Sequence, residues 1–165
     1  MRGPCFGCSS LSFQPNDDIP GRNAAPIYGS GGFTTYSNDR LKEQLAAWVE
    51  RNGCRFVKMK IGSDPERAFV AKSAVGEHQL FVDANGAFSV KQALQFVAAS
   101  GDADIRWFEE PVTSDDPLGL RLMRERTPPG MDVAAGEEVY DLDDARGART
   151  SGGYCYRGRF QSDGP

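Results

Sequence analysis

Between Pro26 and Arg146 one pattern returns about five times: a short apolar run, a capping residue, an amphipathic helical stretch, then the next apolar run. "PIYGSGGF" leads to Ser37-Asn38-Asp39 and the helical "RLKEQLAAWVERNG", with Leu41, Leu45, Trp48 and Val49 on one face and Gly53 as stop. "RFVKMKIG" leads through Asp64-Pro65 to "PERAFVAKSAVG", and "QLFVDANG" through Ser89 to "VKQALQFVAASG". "IRWFEEPV" leads to "PLGLRLMRERT", and "DVAAGEEVY" to "DLDDARGAR". Apolar strands separated by helices of this length require a parallel sheet, because parallel neighbours must be joined by crossovers. Doubly wound sheets and (β/α)8 barrels share this local pattern. Where the polar residues fall has to separate them.

The run "FVKMKIG" holds two lysines two residues apart, so Lys58 and Lys60 point to the same side of their strand. Side-by-side ammonium groups on an apolar strand need an anion nearby. Acids stand near the ends of the next three strands: Asp83 in "FVDAN", Glu109 and Glu110 in "WFEEP", Glu137 and Glu138 in "AAGEE". Lys60, Asp83, Glu109 and Glu137 are each roughly one βα unit apart, so the same level of successive strands is expected to present Lys, Asp, Glu, Glu. In an open sheet these groups would spread along a row, whereas a closed barrel turns them toward one centre at its C-terminal mouth. Three convergent carboxylates repel one another, and a divalent cation removes that cost. Oxygen-only ligands select a hard ion, for which Mg2+ fits. Lys58 then suits a substrate carboxylate. Lys60, crowded by a second cation, suits removal of the proton from the carbon beside that carboxylate, the metal stabilising the enediolate.

"VKMKIG", "FVDANGAFS", "WFEEPV" and "AAGEE" together resemble the K-x-K, D-x-N, E-E-P and G-E motifs of the enolase superfamily, in its mandelate racemase/muconate lactonising enzyme branch. The resemblance implies a partial (β/α)8 TIM-type barrel of about five βα units over residues 26–146, without the branch's N-terminal capping domain and last strands. It also implies metal ligands Asp83, Glu109 and Glu137, Lys60 as acid/base and Lys58 as its electrostatic neighbour. Asn85 would hydrogen-bond at the site, and Glu110 would stand behind the ligands. The expected reaction is Mg2+-dependent α-proton abstraction from a hydroxy acid or sugar acid, with racemisation, dehydration and cycloisomerisation all open. The second reading is a truncated, non-catalytic remnant that at most binds metal.

Other features narrow the alternatives. Residues 1–25 and 147–165 lack any period and read as a disordered leader and an unstructured tail. Cys5 and Cys8 form one C-x-x-C with no second pair, and His78, the sole histidine, precedes its strand at the face opposite the mouth, so a zinc site is not expected. Gly29-Ser30-Gly31-Gly32 is followed by Thr34 and Tyr36 where a dinucleotide fingerprint needs glycine. Those glycines are read as letting the first strand end closely against the mouth. A formal net charge of -4 argues against nucleic acid as partner. With no long apolar run and no signal-like start, a membrane span is not expected and a cytoplasmic location is. Exposed outer strands of a partial barrel are expected to promote self-association.

Overall fold

The computed structural model describes residues 27–136. The expectations for residues 1–25 and 147–165, for Cys5, Cys8 and Glu137, and for a helix at "DLDDARGAR" fall outside that range. Within it the strand–helix alternation is present. The elements are β1 (Gly29–Gly31), α1 (Asn38–Glu50), β2 (Phe56–Lys60), α2 (Glu66–Val75), β3 (Gln79–Asp83), α3 (Val90–Ala99), β4 (Ile105–Glu109), α4 (Pro117–Arg126) and β5 (Asp132–Ala134).

Local chemistry sets the helix starts. The Ser37 side chain accepts the Arg40 N–H at 3.2 Å, and Ser89 forms a reciprocal capping box with Gln92. Asp116 accepts from the Gly119 N–H at 2.8 Å, with Pro117 opening α4. Asp64 accepts the Glu66 N–H ahead of α2.

All five strands are parallel, and the spatial order is β1-β2-β3-β4-β5. Sequential order without a switch point is barrel topology, not the doubly wound kind. The packing agrees. Val57, Met59, Leu80, Val82 and Phe108 face a large core made with residues of all four helices, among them Leu45, Ala71, Phe96 and Met123. The opposite face holds a separate cluster of strand residues only: Phe81, Trp107 and Ala134, with Tyr28 and Phe56 against them. The fold is α/β, a five-stranded part of a TIM-type barrel with its helices outside and an aromatic inner face. No helix among the described residues is long and apolar enough to cross a membrane.

The glycines of β1 answer to packing. A Cβ on Gly29 or Gly31 would lie 2.8 Å or 2.7 Å from the Trp48 indole, so the strand must be bare for Trp48 to lie against it. Gly32 turns with φ +59° and donates its N–H to Gln44 Oε1 at 2.9 Å. The expected closeness is therefore to helix α1 on the outer face. A Gly31→Val substitution should cost about 1–3 kcal/mol, measured as a lower urea midpoint followed by circular dichroism.

Candidate metal and acid–base site

Three of the polar residues singled out by sequence stand at the same level. Lys60, Asp83 and Glu109 are the last residues of β2, β3 and β4, and the register pairs Lys60 with Asp83 and Asp83 with Glu109. Their arrival on one face depends on an irregularity in β4. Leu80 is level with Ile105, but the next residue, Phe81, is level with Trp107, so Arg106 is an extra residue. Ile105 packs in the outer core, whereas Trp107 belongs to the inner cluster. The bulge reverses the alternation and turns Trp107 and Glu109 inward beside Asp83. Arg106 itself bends out to Asp104, at 2.6 Å.

The side chains then meet. Lys60 Nζ donates to Asp83 Oδ2 at 2.6 Å. Lys58 lies one rung below, level with Phe81, yet its stem carries Nζ to Glu109 Oε1 at 2.7 Å and to Asp83 Oδ2 at 3.2 Å. Asp83 is fully buried, and the Lys58 and Glu109 side chains are 10% and 6% exposed. The outer oxygens are also held: Asp83 Oδ1 accepts the Asn85 N–H at 3.0 Å, and Glu109 Oε2 accepts the Trp107 indole N–H at 3.1 Å. Charge-assisted bonds of this kind are the stronger class.

Burial works against the Lys58 charge, but the hydrogen bond to Glu109 and the charges of Glu109 and Asp83 outweigh it, so its pKa lies above the usual lysine range. Burial is also the largest influence on Glu109 and pushes its carboxyl up, against the pull of Lys58 and Trp107. The two shifts act oppositely on the charged pair. Two short donors on one carboxylate make the ion pair the governing state near neutral pH.

Asn85 contributes through its backbone N–H while its residue is exposed, and it turns the chain with φ +49°. Glu110 is 2% exposed with φ +43°, and its carbonyl accepts the Gly86 N–H at 2.8 Å, tying the loops after β3 and β4 together. On β5 the residue level with Glu109 is Ala134. Glu137, three residues further along the sequence, lies outside the described residues. Among the described residues no group of three metal-ligating side chains converges. His78 lies at the opposite end of β3, its Nδ1 3.0 Å from the Val75 carbonyl oxygen.

Three inner-face residues escaped the sequence reading. Trp107 holds Glu109. The Tyr28 ring lies 6.0 Å from Lys58 Nζ, and Ser30 is exposed and level with Lys58. Period-two counting back from Glu109 would have found Trp107, whereas Tyr28 and Ser30 come beside Lys58 only through the β1–β2 register.

Comparison with known proteins gives the family. Residues 40–154 match the family described as enolase C-terminal domain-like. The chain belongs to the enolase superfamily. Its branch within that superfamily is the mandelate racemase/muconate lactonising one. It is 48% identical to a mandelate racemase/muconate lactonizing enzyme-like protein from Rubrobacter xylanophilus, with a TM-score of 0.68 over 74% of this chain and 36% of that one. A racemase from Streptomyces coelicolor A3(2), solved with bound magnesium, is 30% identical with a TM-score of 0.68, covering 78% of this chain and 39% of that one. The 3,6-anhydro-alpha-L-galactonate cycloisomerase of the same species is 31% identical over 134 residues, 77% of this chain and 36% of that protein. This enolase-superfamily chain thus spans little more than a third of the length of each of these three relatives.

The donor set fits a hard cation. Asp83 and Glu109 offer oxygen atoms only, and the two oxygens that face each other already hold positive charge from Lys58.

Proposed function

We propose that the chain carries the metal and proton-transfer machinery of an enzyme that removes the α-proton of a small carboxylate, a hydroxy acid or sugar acid, in racemisation, dehydration or cycloisomerisation. The observation that supports it is the common level of Lys60, Asp83 and Glu109 on three adjacent parallel strands, with Lys58 reaching both acids from below. Asp83 and Glu109 would hold Mg2+, with Glu137 proposed as the third ligand. When bound, Mg2+ supplies Lewis-acid stabilisation for negative charge building on the substrate carboxylate.

The chain's own residues do the rest. Lys58 is fixed by two carboxylates and presents a positive charge to the substrate carboxylate. Lys60 is the more accessible lysine, its side chain 23% exposed. It takes the α-proton as the free amine, so its contact with Asp83 Oδ2 must first be given up. Asn85 and Trp107 keep the two acids oriented through their outer oxygens, leaving the facing oxygens aimed at the centre. Glu110 is proposed to support this frame from the loop after β4.

Calorimetric titration with Mg2+, followed by proton NMR of hydroxy acids and sugar acids in D2O, tests the proposal. Saturable Mg2+ uptake and solvent deuterium entering at the α-carbon are expected. Mg2+ uptake without exchange for any acid would favour the second reading, a metal-binding chain without catalysis. No uptake at all would sink both.

Among the described residues β1 and β5 each pair with one neighbour. We propose that copies of the chain associate through these edges. Light scattering should give a mass that rises with concentration above the 18.0 kDa monomer, and a monomer at every concentration would refute it.

A further inference from the structure

Lys58 is placed where a cation between Asp83 and Glu109 would act. Its Nζ lies 2.7 Å from Glu109 Oε1 and 3.2 Å from Asp83 Oδ2, so one ammonium neutralises the facing oxygens of both acids. The other oxygen of each acid is taken by a neutral donor, the Asn85 N–H or the Trp107 indole. An entering dication must therefore share the oxygens that Lys58 holds. The two lysines differ in burial and in how many of these two acids they hold. The Lys60 side chain is 23% exposed and touches only Asp83 of the two acids, whereas that of Lys58 is 10% exposed, bridges both, and has the Tyr28 ring 6.0 Å from its Nζ. A positive charge held against both acids opposes a second one brought to the same oxygens.

We propose that Lys58 competes with the divalent cation for Asp83 and Glu109, and that its charge sets how weakly that cation is held. The proposal rests on the metal-site reading above and adds a role to Lys58 beyond contact with substrate. Lys58 serves as an internal counter-ion that keeps two buried acids paired before metal arrives, at the cost of metal affinity.

The test titrates Mg2+ into the full chain and its variants Lys58→Gln and Lys58→Arg by calorimetry at one fixed pH, with thermal melts with and without Mg2+. Lys58→Gln removes the charge and keeps a hydrogen-bond donor. It is expected to lower the Mg2+ Kd at least tenfold and to make the melting temperature more dependent on Mg2+. Lys58→Arg keeps the charge and should leave the Kd within a few-fold of the parent. An unchanged or weaker Kd in Lys58→Gln overturns the proposal, as does equal tightening in Lys58→Arg. If Lys58→Gln fails to fold without metal, recovery of a cooperative melt at millimolar Mg2+ supports the proposal, and no recovery overturns it. Binding by the parent with no tightening in Lys58→Gln sinks this inference and leaves the metal site standing. Absence of binding in all three chains sinks the metal site itself, and the inference with it.

Discussion

A Lys60→Ala chain should lose α-hydrogen exchange by about 10²–10⁴-fold while still taking up Mg2+ as the parent does. Lys60 ends β2 beside the opening, level with Asp83 and Glu109, with an amine that no other group at that level duplicates among the described residues. Truncation at Cβ removes the amine, and Asp83 keeps the Lys58 ammonium and the Asn85 N–H. Fold and metal uptake should therefore survive a substitution that abolishes proton transfer. The measurement is the disappearance of the α-proton NMR signal in D2O for an acid that exchanges with the parent chain. Exchange at the parent rate in Lys60→Ala would remove Lys60 from the chemistry.

The largest loss of stability is expected from Asp83→Ala, about 3–5 kcal/mol, because a buried ion pair is broken from one side. Asp83 is fully buried and accepts three donors: Lys58 Nζ, Lys60 Nζ and the Asn85 N–H. Alanine returns none of those bonds and leaves the Lys58 ammonium, one-tenth exposed, leaning on Glu109 alone of the two acids. Against a typical domain stability of about 5–15 kcal/mol, this is a large share of the total. Urea titration followed by circular dichroism should show the midpoint shift, and calorimetry should show Mg2+ uptake lost. Glu125→Ala is the comparison. It breaks an exposed i,i+4 pair with Arg121 at 2.9 Å and should leave the midpoint where it was. An unshifted midpoint in Asp83→Ala would mean that the buried pair is no better than a hydrophobic substitute.

Much of the fold was legible because its signals are local. Ser37 and Ser89 cap helices through their own side chains and the next turn, so sequence order suffices to find them. Leu41, Leu45 and Trp48 repeat on a helical period and are buried together. The two lysines of "FVKMK" share a face because a strand alternates every residue, and that inference needed no partner strand. The acids were found in the same way, as charged residues closing apolar runs.

The sequence by itself determined which residues form strands and helices, in what order, and which strand ends carry lysine and acid. The tertiary structure decided how those ends line up. Register depends on the hydrophobic pattern of both neighbouring strands and on the connections that join them, so it is fixed only when the strands pack side by side. For that reason Ala134, and not Glu137, came level with Glu109, and the extra residue Arg106 turned Trp107 and Glu109 inward. The reach of Lys58 to two acids on two other strands, which makes it a counter-ion as well as a neighbour, was likewise settled only when β2, β3 and β4 lay side by side.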